Sequence, residues 1–218
     1  MVSNRWNRFV YRLWAPIYDQ LVRRHPVARI RRTALEQIGA TTAQTVLLTG
    51  VGTGEDLQYL PSACRVIGVD FSTAMLRRSI RKAKAAELCF TGLCSDVTEI
   101  PLRSESCDAA ALILIVSVVP EPRLCIEESL RTLTPGSRMV IVDKFLSDDR
   151  RIPLFRRLLN LLTRPFGTDI NRQWKDVCPA SAVVLSDKPV GLWGSLRMII
   201  LQKPFAPENQ PVAGRHHD

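Results

Sequence analysis

A glycine-rich turn and a later aspartate are the residues of this 218-residue chain whose types and spacing most directly indicate chemistry. Gly50, Gly52 and Gly54 follow the apolar run 46–48 and open a helical pattern. Glycines at such a turn let the backbone approach a ligand, and the next helix presents backbone N–H groups to a carboxylate or phosphate. Asp70 ends a second apolar run about 20 residues later, where a carboxylate can accept hydrogen bonds from ribose hydroxyls. Together they predict a nucleoside site.

The spacing of the glycines narrows the class of ligand. The turn has the pattern GxGxG, whereas dinucleotide-binding turns have the pattern GxGxxG. Because this spacing has no obvious seat for a pyrophosphate, adenosine with an amino-acid tail fits better than NAD. The alternative for Asp70 is a helix cap or a surface acid.

Alternating strand and helix patterns surround these residues and must position them. Strand-like runs occur at 45–50, 65–70, 89–94, 109–116 and 138–145, and helical patterns occur at 54–60, 73–86 and 121–132. Repeated βα units of this kind predict an α/β fold, with a parallel sheet covered by helices on both faces. Two closing apolar runs, 181–186 and 195–203, predict a terminal β-hairpin at the sheet edge.

The beginning of the chain has a different pattern. Apolar residues recur at helical spacing from Trp6 to Ile17 with arginines between them, and Pro26 and Gly39 suit the start and the stop of a second helix. We therefore expect residues 1–38 to form a basic amphipathic helical lid. Such a helix can lie on an anionic membrane, or its apolar stripe can pack on the protein's own core with the arginines solvated.

The rest of the chain is long and apolar enough for one domain, with 46% hydrophobic residues overall. We expect this domain to span residues 39–203. Within it, we expect residues 150–180 to form a basic helical insertion near the mouth of the site. Residues 204–218 are rich in proline and polar residues and are expected to be a disordered tail.

The net charge of +9 is concentrated in two segments. Residues 1–38 hold eight arginines against two acids, and residues 150–175 hold six arginines and one lysine against one acid. Basic side chains near an acidic bilayer each contribute on the order of 1 kcal/mol to attachment. The expected partner is therefore an anionic membrane surface, contacted through residues 1–38 and 150–175.

Composition also bounds the location and the metal chemistry. No run approaches the roughly 20 apolar residues that span a bilayer, and the N-terminus lacks the pattern of a secretory signal. We expect a cytoplasmic protein, peripheral at the inner face of the membrane. The six cysteines form no CxxC pair and no regular framework, so free thiols and no metal site are expected.

The chain resembles the class I S-adenosylmethionine-dependent methyltransferases over most of its length. Residues 46–54 resemble the first motif of that family and residues 68–72 its second motif. Asp96 matches an acid near the adenine amino group, residues 101–108 resemble the "LP…FD" entry to the fourth strand, and residues 133–138 resemble an "LkPGGr" turn. The resemblance implies a Rossmann-like seven-stranded sheet and S-adenosyl-L-methionine as the cofactor.

Two short tracts are similar to one subgroup of this family. Residues 14–19 and 117–122 resemble bacterial phosphatidylethanolamine N-methyltransferases, which are related to the ubiquinone/menaquinone C-methyltransferases. The implied acceptor is a lipid, either a phosphatidylethanolamine-type amine or a quinone-type lipid. Two residues depart from the family's pattern: Thr49 stands where an acid is usual, and Ser137 replaces a glycine.

The resemblance also implies which residues bind the cofactor. They lie at the carboxyl ends of the predicted strands: Gly50, Gly52, Thr53, Gly54, Asp70, Phe71, Met75, Asp96, Val97 and Ile115. Asp70 would hold the ribose, Phe71 and Met75 would flank the adenosine, and Asp96 would contact the adenine amino group. Ile115 would lie beneath the methyl group, or it would simply belong to the sheet core.

The catalytic candidates are Tyr18 and Asp143. Since the cofactor has its own leaving group, the protein mainly aligns the acceptor and manages its proton. Tyr18 would orient the acceptor, and Asp143 would pair with a cationic head group or act as base. Alternatively, Tyr18 is a packing aromatic and Asp143 an ion-pair partner. The expected substrate contacts are Tyr11, Trp14, Asp19, Ser117 and Lys144.

Three rival functions fit the same fold. The basic composition permits a nucleic-acid methyltransferase, but no RNA-binding module, aromatic platform or Asn/Asp-Pro-Pro-Tyr-like tract is present, so nucleic acid is not the expected partner. A methyltransferase for a soluble small molecule is the second. The third is a cofactor-binding protein without methyl transfer, or with another lipid-modifying reaction, for which Thr49 is the support. The sequence has no signal for the oligomeric state.

Overall fold

The computed structural model describes residues 25–40, 44–145, 172–191 and 196–205. The helices are α1 (His25–Gln37), α2 (Thr73–Ala85), α3 (Pro122–Thr132) and α4 (Trp174–Val177). The strands are β1 (Thr45–Thr49), β2 (Arg65–Asp70), β3 (Cys89–Cys94), β4 (Cys107–Ile113), β5 (Leu133–Asp143), β6 (Val183–Val190) and β7 (Leu196–Gln202).

The strands form one seven-stranded sheet in the order β3-β2-β1-β4-β5-β7-β6. Strands β1 to β5 run parallel, β7 runs antiparallel to β5, and β6 and β7 form an antiparallel hairpin. The predicted α/β fold and the terminal hairpin are therefore confirmed. The carboxyl ends of the five parallel strands meet at one edge of the sheet, which we call the carboxyl edge.

The hydrophobic core has two layers, one on each face of the sheet. Successive residues of a strand point to opposite faces, so Leu47 and Leu48 of β1 lie in different layers. Leu48 packs in the layer with α1 and α2, and Leu47 packs in the layer with α3 and α4. The prediction of helices on both faces is thus confirmed.

The predicted helix at 54–60 is wrong. The structure has a single 3-10 turn there, Leu57–Tyr59, after which Leu60 is extended with ψ 146°. The residue before a proline disfavours the helical conformation, and Pro61 follows Leu60. Gly54, with a φ of +80°, is not helical either, and the few residues between Gly54 and Leu60 cannot form a stable helix.

Three strand boundaries also differ from the prediction by three residues or more. β4 ends at Ile113 rather than at residue 116, because Leu114 has a left-handed φ of +61°. β5 begins at Leu133, earlier than the predicted residue 138. β6 continues to Val190 through Pro189, which an edge strand tolerates because one side of it pairs with no strand among the described residues.

Helix α1 accounts for the second helix predicted in residues 1–38, and Gly39 follows it with a φ of +63°. The first predicted helix, most of the basic insertion and the predicted tail lie outside the described residues, and the proposed domain boundaries stay predictions. Within the described ranges, no helix is long and apolar enough to cross a membrane. The same residues contain no cluster of three or more side chains suited to a metal ion.

Candidate cofactor and active site

The glycine turn begins where β1 reaches the carboxyl edge. The backbone N–H groups of Gly50 and Val51 both donate to the carbonyl of Val69, at 2.8 and 3.0 Å. Gly54 then donates to the carbonyl of Val51 at 3.0 Å. These bonds fix the turn to the end of β2, so the residues that follow β1 and β2, both predicted to bind the ligand, lie next to each other.

Each glycine of the turn has a positive φ, but their surroundings differ. A Cβ at Gly50 would lie 2.5 Å from Cγ1 of Ile115, and a Cβ at Gly54 would lie 2.7 Å from Cδ1 of Leu57. At Gly52, with a φ of +54°, the nearest atom to a Cβ would be the Gly50 carbonyl oxygen at 4.0 Å. Gly50 and Gly54 therefore serve close packing, whereas Gly52 borders open space.

Asp70 lies beside this open space and is 7% exposed. Its Oδ2 accepts from the backbone N–H of Gly52 at 2.9 Å, and its Oδ1 accepts from that of Ser72 at 2.8 Å. Burial raises the pKa of Asp70, and these two hydrogen bonds oppose the rise. Each carboxylate oxygen keeps a second acceptor position, so the group is suited to a ribose diol.

Asp96 lies just beyond β3 on the same edge. The N–H of Ser95 donates to the Asp70 carbonyl at 3.3 Å, which joins the ends of β2 and β3. Oδ1 of Asp96 accepts from the backbone N–H and the hydroxyl of Thr98, at 3.1 and 2.9 Å. The predicted ribose and adenine acids are thus brought to neighbouring strand ends.

The predicted apolar contacts of the adenosine lie around the start of α2. Phe71 is half-buried between Asp70 and the helix, while Met75 and Val97 are both 5% exposed. Ser72 caps the helix by accepting from the N–H of Met75 at 3.4 Å. In this structure Met75 and Val97 therefore present most of their surface to the protein interior.

Thr53 makes a contact that sequence reasoning did not anticipate. Its hydroxyl accepts from Nζ of Lys82 on α2 at 3.3 Å, and the same ammonium group pairs with Glu55. The glycine turn is thereby tied to α2 at its far side. A lysine in a helix that contains five basic residues has no local signal of such a role.

The part of the edge that the sequence predicts to face the acceptor, which we call the acceptor side, is formed by β5 and by the turn after β4. Asp143 has no exposed surface: its Oδ2 accepts from the N–H of Ser117 at 2.9 Å, and its Oδ1 accepts from the N–H of Lys144 at 2.7 Å. Burial raises the pKa of Asp143, and these hydrogen bonds oppose the rise. Ser117 is itself buried, whereas Lys144 is exposed.

Thr49, the departure from the family's pattern, is paired with a helix residue. Its Oγ1 lies 2.8 Å from Oγ of Ser129 on α3, and both residues are buried. Ser129 donates its single hydroxyl proton to the carbonyl of Cys125 at 2.8 Å, so Thr49 must donate to Ser129. The hydroxyl that replaces the usual acid thus joins β1 to α3.

The structure brings the predicted cofactor residues from four strand ends to one edge. Tyr11, Trp14, Tyr18 and Asp19 lie outside the described residues and stay predictions. Sequence reasoning missed Arg172, whose guanidinium donates to the carbonyls after β4. A side chain that contacts distant backbone carbonyls leaves no pattern in the sequence.

This strand order, with a glycine turn after β1 and an acid after β2, defines the class I S-adenosylmethionine-dependent methyltransferase fold. A family model described as "Methyltransferase domain" matches residues 47–141. The chain is 34% identical to a phosphatidylethanolamine N-methyltransferase of Cereibacter sphaeroides over 63% of this chain and 68% of that protein. It is 31% identical to a ubiquinone/menaquinone biosynthesis C-methyltransferase of Syntrophotalea carbinolica, over 59% of this chain.

The chain spans little more than half of the quinone-modifying relative, 57% of its length. Among solved structures, a putative methyltransferase in complex with the Haloferax volcanii Trm112 activator superposes with a TM-score of 0.72 at 15% identity, over 94% of this chain and 100% of that one. The protein belongs to the methyltransferase family. The open space at Gly52 and the carboxylate of Asp70 lie where the sequence predicts that the adenosine part of S-adenosylmethionine binds.

Proposed function

We propose that the protein transfers a methyl group from S-adenosylmethionine to a lipid acceptor at a membrane surface. The acceptor is an amine of the phosphatidylethanolamine type or a quinone-type lipid. The relatives named for these two acceptors match the chain at similar identity, 34% and 31%. Both acceptors are presented by a bilayer, so a peripheral enzyme is the common requirement.

The observation that supports this proposal best is where the two basic segments join the domain. Strand β5 ends at Asp143 on the carboxyl edge, and residues 146–171 follow Phe145 in the sequence. After these residues, Arg172 contacts the carbonyls of Val116 and Val119 at the same edge. The basic sequence 146–171 is thus flanked on both sides by described residues of this edge, which favours docking of the edge on an anionic surface.

Helix α1 points to the same edge. It ends at Gln37, and β1 starts at Thr45 at the opposite edge, so we infer that the helix begins nearer the carboxyl edge than it ends. Its 13 residues extend about 20 Å. Arg31 in α1 pairs with Asp56, just after the glycine turn, at 2.6 Å. The basic residues that precede His25 therefore join the domain near the cofactor site.

The protein's own groups have distinct tasks in this reaction. When bound, the cofactor supplies an electrophilic methyl group, and catalysis then depends on alignment of the acceptor. Asp143 is fully buried, and both its carboxylate oxygens accept backbone hydrogen bonds. We therefore infer that Asp143 holds the turn at Ser117 in place and does not transfer a proton directly. Tyr18 stays the candidate that orients the acceptor.

Methyl-labelled S-adenosylmethionine provides the direct test. The purified protein is incubated with vesicles of phosphatidylethanolamine and phosphatidylglycerol, with or without a demethylated menaquinone, and the organic phase is separated by chromatography. Label in the head group establishes the amine acceptor, and label in the quinone band establishes carbon methylation. The Asp70→Asn variant serves as the control that should lose the label, because it weakens the ribose contact.

Two results would contradict the proposal. Binding of S-adenosylhomocysteine in calorimetry without organic-phase label would exclude these lipid acceptors and favour a soluble acceptor or the non-methylating alternative. Equal flotation with anionic and neutral vesicles would contradict attachment through the basic segments. Tyr18→Phe with full turnover would remove Tyr18 from the mechanism.

A further inference from the structure

The turn that follows β4, from Leu114 to Val119, is the element that connects the cofactor side of the site to the acceptor side. We call it the post-β4 turn. Leu114 leaves the strand with a φ of +61°, and the N–H groups of Val118 and Val119 donate to the carbonyl of Ile115 at 3.0 and 3.2 Å. The side chain of Ile115 occupies the space where Gly50 lacks a Cβ. The position of this turn therefore sets the packing under the glycine turn.

Arg172 holds the post-β4 turn by its carbonyl groups. One guanidinium nitrogen donates to the carbonyl of Val116, and the other terminal nitrogen donates to that of Val119. A helical turn leaves its last carbonyls without partners in the helix, and both valines are buried from water. Because a guanidinium is planar and stays protonated, it holds the two carbonyls at a set separation.

A carboxylate holds the same turn by accepting a hydrogen bond from a backbone N–H of the turn. Asp143 accepts from the N–H of Ser117, one residue from the first carbonyl that Arg172 binds. Both charges act on the buried thiol of Cys125, whose pKa is raised first by burial and then by Asp96 and Asp143, and is lowered by Arg172. The turn is thus held between an arginine and an aspartate in a site shielded from water.

Resting on the proposed function, we propose that Arg172 is a positioning residue for methyl transfer. It fixes the post-β4 turn so that Ile115 supports Gly50 on the cofactor side and Ser117 stays in place on the acceptor side. Removal of the guanidinium lets two buried carbonyls seek other partners, and the turn shifts. A shift of about 1 Å in aligned reactants is enough to cost on the order of a hundredfold in rate.

Attachment of the chain around Arg172 does not require this side chain. Trp174, two residues later, is 6% exposed, and its ring packs edge-to-face on Phe145 at 5.5 Å between centroids. This aromatic pair already anchors the segment to the end of β5. The guanidinium contacts therefore add order to the post-β4 turn.

The test compares Arg172→Gln and Arg172→Lys with a matched control. Arg123→Gln is the control, because Arg123 also donates to a backbone carbonyl, that of Cys178 at 3.1 Å, but has a side chain that is 54% exposed. For each variant, calorimetry gives the dissociation constant of S-adenosylhomocysteine. Unfolding gives the stability, and transfer of label to the lipid acceptor gives kcat and KM.

We expect Arg172→Gln to weaken S-adenosylhomocysteine binding about tenfold and to lower kcat by at least that factor, with a smaller change in the acceptor KM. Arg172→Lys should lie between Arg172→Gln and the unmodified protein, since an ammonium is a point charge and does not span both carbonyls. Arg123→Gln should stay within about twofold in every kinetic and binding constant.

The proposal is overturned if the Arg172 variants keep S-adenosylhomocysteine affinity and kcat within about twofold while only their unfolding midpoint falls. If Arg172→Gln does not fold, the same criteria apply to Arg172→Lys. The S-adenosylhomocysteine titration needs no acceptor, so it separates this proposal from the lipid-acceptor proposal. Weakened binding without any labelled lipid would support the role of Arg172 on the cofactor side and refute the lipid acceptor.

Discussion

Replacement of Gly50 by alanine combines two costs that the structure separates. Gly50 has a φ of +69°, and a Cβ there would lie 2.5 Å from Cγ1, 2.6 Å from Cδ1 and 2.9 Å from Cβ of Ile115. Gly52 has a similar positive φ of +54° but no atom closer than 4.0 Å to the position of a Cβ. Gly52→Ala is therefore the matched control, with the backbone strain but without the clash.

The magnitudes follow from these contacts. A left-handed conformation costs an alanine about 1–2 kcal/mol, and overpacking against the half-buried side chain of Ile115 adds about 1–3 kcal/mol. We expect Gly50→Ala to lower the free energy of unfolding by about 2–5 kcal/mol and Gly52→Ala by about 1–2 kcal/mol. For the affinity of S-adenosylhomocysteine we expect the opposite order, with the larger loss for Gly52→Ala, because only the alanine methyl at position 52 points into the open space.

Urea unfolding and calorimetric titration measure the two effects, and Ile115→Ala completes a double-mutant cycle. Since Ile115→Ala removes the two closest contacts, the double variant Gly50→Ala/Ile115→Ala should be more stable than the sum of the single effects by about 0.5–3 kcal/mol. Equal losses of stability for Gly50→Ala and Gly52→Ala, with additive behaviour in the cycle, would refute the packing argument.

Three further predictions concern polar groups. Asp70→Asn should weaken the binding of S-adenosylhomocysteine about tenfold or more. In the unmodified protein, the affinity should fall as the pH drops through the pKa of Asp70, which is raised above its ordinary 3.8, because the ribose hydroxyls stabilise the ionised carboxylate. The affinity of the variant should not change over the same pH range. Arg31→Met should lower the unfolding free energy by about 3–5 kcal/mol, because the 5% exposed Asp56 loses its partner, and Arg31→Met/Asp56→Leu should recover most of it in urea unfolding. Thr49→Val should cost about 1 kcal/mol, whereas Ser129→Ala, which leaves the buried Thr49 donor unpaired, should cost about 1–3 kcal/mol; an equal cost in thermal unfolding would contradict the assigned proton direction.

The sheet and the cofactor turn were predictable because their signals are local. Buried parallel strands are short apolar runs, and the run that ends at Asp70 matches the observed strand at both ends. The positive φ values at Gly50, Gly52 and Gly54 belong to residues that adopt them freely. The end of β4 was mispredicted because Leu114 has a φ of +61°, which a leucine rarely adopts and which no local sequence pattern indicates.

The contacts that shape the acceptor side depend on residues distant in sequence. Asp143 was a candidate because it ends a strand, but its burial and its bond to Ser117 depend on how β5 lies beside β4. Arg172 binds carbonyls more than fifty residues away, and backbone carbonyls are the same in every sequence. Residue types and spacing therefore predicted the edge of the sheet at which the site lies, but they did not predict the contacts on its acceptor side.

Thr49 shows how the same edge constrains what a departure from the family's pattern means. Thr49 lies beside Val69, so an acid there would be next to Asp70, and Asp143 is a second buried carboxylate on this edge. A further buried charge needs a cation or several donors, and Ser129 offers one hydroxyl whose proton already goes to the Cys125 carbonyl. The neutral hydroxyl pair satisfies β1 and α3 without that charge, so the fold does not need the acid.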